Sequence, residues 1–136
     1  MKEPIWLNRE DCLAIHEMML AQHGGLAGVR DEGLLESALS RPRRLFACRS
    51  PHLAELAASY AAGIIRNHPF LDGNKRTGFM LAATFLEING LEFTATEESV
   101  IEMTLALASG KLKQAGYAEW LSDNSRAGCR QRNLGV

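Results

Sequence analysis

The sequence predicts an all-α fold, a compact bundle of five to six helices in one domain. Apolar residues recur with helical spacing along most of the chain, and capping residues and glycines mark the ends of these segments. Of the 136 residues, 46% are hydrophobic and 23% are charged, a composition that supports one packed core. The alternating pattern of a β-strand is nearly absent, so a helical bundle is the natural architecture.

The N-terminal third is predicted to contain two helices and a loop. The first helix is expected between Asn8, a good N-cap, and the glycine pair at 24–25. A short second helix is expected over residues 31–39, and Pro42 should end it because proline is disfavoured in a helix interior. Residues 41–52, which contain four arginines, are therefore predicted to be a loop.

Two strongly apolar helices are predicted on either side of one polar loop. The first is expected to begin at Ser50-Pro51, an N-cap followed by proline at the first helical position. It should end near His68, since a residue before proline is pushed out of the α region. The second should begin after Gly73 and end at the Asn-Gly pair at 89–90. Both should be central to the bundle.

The remainder of the chain is predicted to hold an extended segment, two helices and a polar tail. The segment LEFTAT is expected to be extended, and Thr94 with Glu97 suggests a capping box for the next helix. A last helix is expected from about residue 111. The folded domain should span residues 1–122 and leave residues 123–136 as a mobile tail.

Composition and cysteine usage argue against several classes of protein. The formal net charge of -1 gives no indication of DNA or membrane binding. Cys12, Cys48 and Cys129 are widely spaced and odd in number, which favours buried thiols in a reducing cytosol over disulfides or a zinc site. The first ten residues contain no apolar h-region, so no signal peptide is expected, and no apolar run reaches about 18 residues. A cytoplasmic protein is expected.

The stretch RNHPFLDGNKRTGFM, residues 66–80, concentrates charge between the two central helices. Lys75 and Arg76 fall in the first turn of a helix, where the helix dipole disfavours cations unless an anion binds among them. Histidine is a common general base in enzymes, so His68 is a candidate for that role. Asp72 can hold Mg²⁺, which takes one or two carboxylates together with phosphate oxygens. The stretch therefore predicts a phosphate site.

Each of these residues also has a plain structural interpretation when it is taken singly. Asp-Gly-Asn is usually a turn, a histidine at a helix end is usually a cap or a surface residue, and Lys-Arg is usually solvated. Their coincidence between two apolar helices favours a functional site. The Walker A pattern is not matched, because Gly73 precedes Lys75 by two positions and arginine follows the lysine. A P-loop nucleotidase is disfavoured.

The segment HPFLDGNKRTG resembles the motif H-x-F-x-[DE]-G-N-[GK]-R of the Fic superfamily. Lysine at the eighth motif position, Lys75, resembles the death-on-curing (Doc) branch of that superfamily. Two further blocks are similar to that branch, GGLAGVRDEGLLESALSRP upstream and FLEING downstream. The resemblance covers about residues 5–121. It implies a Fic/Doc-like helical domain with the active-site loop between two central helices.

This resemblance implies a toxin that modifies a protein hydroxyl. Fic enzymes transfer part of a nucleotide triphosphate, in most cases AMP, whereas the Doc branch phosphorylates its target. The known target of that branch is a threonine of elongation factor Tu. A small antitoxin, whose disordered segment folds onto the toxin, holds the enzyme inactive. The chain is therefore expected to be the toxin of a type II toxin-antitoxin module that uses ATP and Mg²⁺.

The roles that the resemblance implies follow the motif residue by residue. His68 would be the base that takes the proton from the target threonine, and Asp72 would position Mg²⁺ or that hydroxyl. Asn74 and the N–H groups around Gly73 would hold phosphate oxygens. Phosphoryl transfer depends mainly on such positioning and on charge neutralisation.

Lys75 and Arg76 would neutralise charge on the transferred group and contribute to cofactor binding. AMP-transferring relatives usually carry glycine in place of Lys75, and a second arginine three residues after Arg76, where this chain has Phe79. Both departures favour phosphoryl transfer. An AMP transferase and a catalytically silent partner-binding module remain the alternatives.

Other basic residues have less specific expectations. Arg66 is assigned to cofactor binding, and both Arg66 and Arg30 can reach phosphate or lie on the surface. The arginines between 41 and 49 either line the entrance of the site or belong to a solvated loop. His16 and His23 are seven positions apart, too far for one metal face, and are predicted to be non-ligands.

The antitoxin is expected to dock as a helix in an apolar groove. The first predicted helix, together with the fourth or fifth, should form that groove. No binding to DNA by this chain itself and no membrane association are expected.

Overall fold

A computed structural model describes residues 2–49 and 51–128, and it confirms the all-α prediction. These ranges contain six helices and one two-stranded sheet. The elements are α1 (Arg9–His23), α2 (Glu32–Arg49), α3 (Leu53–Asn67), α4 (Asn74–Ile88), β1 (Leu91–Phe93), α5 (Glu97–Ser109), α6 (Gln114–Asp123) and β2 (Ser125–Ala127). In the described part of the chain, none of the helices has the length and apolarity needed to cross a membrane.

The core is built around α3, which contacts α2, α4 and α6. Eleven of its fifteen residues are buried, so it is enclosed on nearly every side. Glycines allow its neighbours to approach closely. A Cβ on Gly63 would lie 3.1 Å from the Cβ of Ala38 in α2, and a Cβ on Gly78 of α4 would lie 2.9 Å from Cγ1 of Ile65. The two helices that flank the motif are therefore packed too tightly to shift independently.

Most predicted helix ends in the first two-thirds of the chain are confirmed. Asn8 caps α1 by a reciprocal pair of hydrogen bonds with Asp11, both at 2.9 Å. Gly24 is the C-cap of α1, and His68 is the C-cap of α3. Helix α4 follows Gly73 as predicted and stops before the Asn-Gly pair at 89–90.

The prediction that Pro42 ends the second helix is wrong, because α2 continues to Arg49 with Pro42 inside it. Proline in a helix interior costs about 3 kcal/mol, chiefly through a lost hydrogen bond and a steric clash. Pro42 itself is buried, and Leu45 and Phe46 pack against the core beyond it. Burial of three apolar groups, each contributing about 1.5–3 kcal/mol when complete, offsets that cost.

The arginines of the predicted 41–52 loop therefore lie on helix α2. The guanidinium of Arg43 lies over the ring of Trp6 at 5.3 Å, a cation–π contact. Arg49 donates to the carboxylate of Glu55 at 2.7 Å. These side chains cover the outer face of α2, and none of them lines the groove described below.

Three helix starts differ from the prediction by a few residues. The N-cap of α3 is His52, whose backbone N–H donates to Glu55 at 3.1 Å, while Ser50 lies outside the described residues. The N-cap of α5 is Thr96 and not Thr94. The backbone N–H and the hydroxyl group of Thr94 both donate to the carbonyl oxygen of Asn124. Helix α6 begins at Gln114. At α5 the tertiary bond of Thr94 to Asn124 takes Thr94 out of the cap, and the side chain of Thr96 accepts the N–H of Ser99 instead.

The C-terminal residues pair with the predicted extended segment. Strand β1 runs antiparallel to β2, with Leu91 opposite Ala127. Part of the predicted polar tail is thus paired with the domain, and residues 129–136, including Cys129, lie outside the described residues. Cys12 is buried as expected, but Cys48 is exposed because it lies on the outward face of the last turn of α2.

Candidate active site

A groove of about 720 Å³ lies between α1, the 68–73 loop, α4 and α5. The predicted site residues that line it are His68, Asp72, Gly73, Asn74, Lys75 and Arg76. Arg66, also predicted, is exposed in the last turn of α3 and is not among the lining residues. The fold therefore brings the motif together at one concave surface, although its residues come from a helix end, a loop and a helix start.

The start of α4 forms the positively charged floor of this groove. Gly73 is the N-cap with φ of 77°, a conformation that favours glycine, and it has no side chain to satisfy the first N–H groups of the helix. Lys75 and Arg76 are exposed in the first turn, which contains no acidic residue. A helix start with these features is suited to bind phosphate oxygens.

Asn74 is buried and connects both sides of the motif loop. Its Oδ1 accepts the N–H of Phe70 at 3.0 Å, and its Nδ2 donates to the carbonyl oxygen of Phe70 at 3.0 Å. The same Nδ2 lies 3.1 Å from Nδ1 of His68. Because the amide nitrogen is a donor, Nδ1 of His68 is the acceptor, and the neutral ring then carries its proton on Nε2.

The backbone of His68 has φ of 54° and ψ of 52°, the left-handed conformation. Within residues 2–49 and 51–128 it is the one non-glycine residue with positive φ. Arg30 stabilises this turn, since its Nε donates to the carbonyl oxygen of His68 at 2.7 Å and its Nη2 donates to that of Asn67 at 3.0 Å. Arg30 was predicted either to reach phosphate or to lie on the surface. It is exposed, and its guanidinium binds the carbonyl groups at the C-terminal end of α3.

The carboxylate of Asp72 is fixed by two backbone groups. Its Oδ2 accepts the N–H of Leu26 at 3.1 Å, and its Oδ1 accepts the N–H of Gly73 at 2.9 Å. These hydrogen bonds, first from Leu26 and then from Gly73, lower the pKa of Asp72 below its usual value. The group is thus an anion at neutral pH. No cluster of three metal-binding side chains occurs among the described residues, so Mg²⁺ here would need phosphate oxygens and water as further ligands.

His16 contacts the motif loop, and no sequence pattern predicted this contact. Its ring is buried in α1, with Nε2 at 2.8 Å from the carbonyl oxygen of Asp72. The ring also stacks on Phe70, with centroids 3.8 Å apart and an angle of 8° between the planes. His23 lines the groove from the end of the same helix. Neither histidine belongs to a group of three metal-binding side chains among the described residues, and His16 has a specific hydrogen-bond partner in the carbonyl oxygen of Asp72.

The opposite side of the groove is apolar. An apolar groove was predicted between the first helix and the fourth or fifth, and residues of both α4 and α5 line the observed one. Val100, Ile101 and Leu105 contribute from α5, and Phe79 and Met80 contribute from α4. Ile101 is 54% exposed and Leu105 is 52% exposed. Large apolar side chains exposed beside a polar site are typical of a surface that binds a partner.

Comparison with known proteins agrees with this geometry. A model of the Fic/DOC family matches residues 6–86. The chain is 30% identical over 116 residues to "Protein kinase doc" of Escherichia phage P1, covering 85% of this chain and 91% of that protein. It is 40% identical over 92 residues to "Toxin Doc" of Mycolicibacterium smegmatis, covering 66% of this chain and 68% of that protein. The chain therefore belongs to the Fic/DOC family.

Within that family, both relatives carry the name Doc. The resemblance inferred from HPFLDGNKRTG and from Lys75 is thus confirmed at the level of the Doc branch.

Proposed function

We propose that this protein is a toxin that transfers the γ-phosphoryl group of ATP to a hydroxyl group of a protein. The observation that supports the proposal most directly is the grouping of the motif residues, from His68 to Arg76, along one groove at the start of α4. The similarity to proteins named as a toxin and a protein kinase supports the same activity.

Phosphate binding is assigned to the start of α4. The N–H groups of the first turn and the cationic side chains of Lys75 and Arg76 would surround the transferred phosphoryl group. Charge develops on that group during transfer, so fixed positive charge lowers the barrier. Arg66 does not line the groove, and the proposal gives it no phosphate contact.

Proton transfer is assigned to His68, and Mg²⁺ to Asp72. Mg²⁺ supplies neutralisation of the phosphate oxygens, and the ionised carboxylate of Asp72 would hold it. His68 would take the proton of the target hydroxyl. In the arrangement described above the neutral ring carries its proton on Nε2. Acceptance at Nε2 therefore requires the other neutral tautomer, in which Nε2 has given its proton to water and Nδ1 has taken one from water. Nδ1 can then no longer accept from Asn74, so that hydrogen bond breaks.

Two residues favour phosphoryl transfer over AMP transfer. Lys75 occupies the position at which AMP-transferring relatives usually have glycine, and its side chain lines the groove. Phe79, at the position of their second arginine, is an apolar lining residue that packs on Phe93 and Trp120. An AMP transferase is the second candidate, and it is favoured only by the motif residues that the two activities share.

The expected target is a threonine of elongation factor Tu, by resemblance to the Doc branch, which also implies action in the cytoplasm. The expected regulator is a small antitoxin of a type II module. A segment of that antitoxin would fold as a helix on the apolar side of the groove, formed by Val100, Ile101 and Leu105. A helix in that position would lie beside the motif and block access to it.

The test is an intact-mass measurement after incubation with elongation factor Tu, Mg²⁺ and ATP labelled at either the α- or the γ-phosphate. We expect a gain of one phosphoryl group that carries the γ label, and no gain with His68→Ala. A gain of an adenylyl group with the α label would replace the kinase by the AMP transferase. Phosphorylation of a different protein in a cell extract would reject elongation factor Tu as the target and leave the kinase activity in place.

The silent binding module is tested by expression in growing cells without antitoxin. We expect wild type to arrest growth and His68→Ala to be harmless at equal protein levels. Equal arrest by both proteins would show that growth arrest does not depend on catalysis through His68.

A further inference from the structure

We propose that His16 is a positioning residue for the phosphate site, and this inference rests on the proposed function. From α1, its ring holds the carbonyl group of Asp72 and thereby fixes the peptide unit that joins Asp72 to Gly73. That peptide unit comes directly before α4, so its orientation determines how the carboxylate of Asp72 and the start of the helix face the groove.

The hydrogen bond defines the state of the ring. A carbonyl oxygen only accepts, so Nε2 of His16, at 2.8 Å from the oxygen of Asp72, must carry a proton. His16 is 5% exposed, so its ring is largely shielded from water. A side chain without a donor at the same place would leave the carbonyl group of Asp72 without this partner.

The stacking contact fixes the orientation of the same ring. Phe70 lies parallel to His16 at 3.8 Å and is fully buried. Both backbone groups of Phe70 are bonded to Asn74, so Phe70 is itself held by the motif. His16 thus contacts the loop at two points, residues 70 and 72, and the ring has little freedom to turn away from either.

The consequence for the site follows from the planarity of the peptide bond. When the carbonyl group of Asp72 points at His16, the N–H of Gly73 in the same peptide unit points the other way and reaches Oδ1 of Asp72 at 2.9 Å. A Cβ on Gly73 would lie only 3.7 Å from Nε2 of His16, so the ring packs directly against the N-cap of α4. Rotation of this peptide would break the bond from Gly73 to the carboxylate of Asp72, which would keep the bond from Leu26, and would misalign the helix start.

Two substitutions separate the donor from the ring. His16→Phe retains the stack on Phe70 and removes the donor, whereas His16→Gln removes the stack and offers an amide N–H at a similar reach. We expect His16→Phe to lower the rate of transfer about 10- to 100-fold, as is usual when a group that orients an active-site ligand is lost. We expect His16→Gln to recover most of that loss. Cys12→Ala, at a buried position one turn earlier in α1, is the matched control and should transfer at the wild-type rate.

A readout that does not need catalysis accompanies the rates. In the free protein, amide hydrogen exchange of Gly73 should accelerate in His16→Phe and stay close to wild type in His16→Gln and Cys12→Ala. In wild type, ¹⁵N NMR of the ring of His16 should report a protonated Nε2. Thermal unfolding of each variant identifies any loss of transfer that comes from unfolding.

Three results would overturn the positioning role. The first is an amide exchange rate of Gly73 that stays at the wild-type value in a folded His16→Phe protein. The second is an equal loss of transfer in His16→Phe and His16→Gln. The third is an Nε2 without a proton in the ring of wild-type His16. If His16→Phe does not fold, the ¹⁵N NMR spectrum of the wild-type ring and the Gly73 exchange rate of His16→Gln still test the positioning role. If wild type transfers no phosphoryl group, the proposed function fails, while the exchange of Gly73 still tests the role of His16.

Discussion

The two sides of the groove are built in opposite ways. On the motif side, formed by residues 68–76, hydrogen bonds from two other segments fix the loop, through His16 of α1 and through Leu26 and Arg30 of the loop between α1 and α2. On the α5 side the surface is apolar and only partly covered, and Thr104 and Leu107 are the buried residues of that helix. One side has a fixed polar geometry, and the other offers exposed apolar area without directional bonds.

This difference separates two tasks that the proposed function requires. Catalysis of phosphoryl transfer needs charges and donors that are already oriented before the substrate arrives, which the motif side provides. Binding of a folding peptide segment needs apolar area that tolerates adjustment, which the α5 side provides. Substitutions on the motif side should therefore reduce transfer and spare partner binding, and substitutions on the α5 side should do the reverse.

After the loss of His68, the largest effect on the motif side is expected from Lys75. Lys75→Met keeps the length of the side chain and removes its charge beside the start of α4. We expect transfer to fall by about 10² to 10³, the usual cost of one group that stabilises developing negative charge. Rates with labelled ATP measure the effect, and Lys111→Met, a lysine outside the groove, is the control. Equal losses in both variants would show a nonspecific effect of charge.

A second prediction compares two neighbouring glycines. A Cβ on Gly25 would lie 2.8 Å from Oδ2 of Asp72, whereas a Cβ on Gly24 meets nothing within 4 Å. Both residues have positive φ, so alanine strains the backbone at either position. We expect Gly25→Ala to displace the carboxylate and lower transfer by up to about 10²-fold, since a shift of about 1 Å at an active site has that effect.

Gly24→Ala should lose stability alone and keep its transfer rate. Measurement of transfer and of urea unfolding for the two alanine variants separates these effects. Equal rates in the two would show that the position of Asp72 does not limit transfer.

On the α5 side, Leu105→Asp should weaken binding of the antitoxin. Leu105 is half exposed in the groove, and a carboxylate there would be desolvated by an apolar partner helix. We expect a loss of about 2 kcal/mol, or roughly 30-fold in affinity, typical of a central interface residue. Titration calorimetry with the cognate antitoxin measures it. Ser109→Asp adds the same charge to α5 outside the groove and should bind normally, and both variants should retain transfer.

The same contrast explains how much the sequence predicted. The motif residues from His68 to Arg76 are adjacent in the chain, so local turn and helix-start chemistry, together with the family motif, was enough to predict that they lie together. The apolar groove was expected between the first helix and the fourth or fifth, without the residues that form it. Apart from Arg66, which lies outside the groove, the predicted catalytic and cofactor residues meet at one surface.

The residues that support the motif were not predictable in this way. His16 and Leu26 lie 56 and 46 positions from Asp72, and neither belongs to a local pattern that points to such a contact. Pro42 misled the prediction of α2 for a related reason, since burial against distant segments outweighed a local preference. Tertiary contacts decided each case, and one sequence carries little information on them.

The smallest effect is expected from Arg30, which supports the motif side from the helix end. Arg30→Gln removes the bonds to the carbonyl groups of His68 and Asn67, and the side chain is exposed, so water can replace part of them. We expect a loss of about 1 kcal/mol in the free energy of unfolding. Because His68 has positive φ, release of its carbonyl group should also let the turn relax and lower transfer about fivefold.

Urea unfolding and transfer rates of Arg30→Gln measure both effects, with Arg44→Gln on α2 as the control for loss of one exposed arginine. A wild-type transfer rate in a destabilised Arg30→Gln protein would mean that Asn74 alone holds the ring of His68. The motif side would then be fixed from within its own loop, and the contrast between the two sides of the groove would be smaller than the hydrogen bonds suggest.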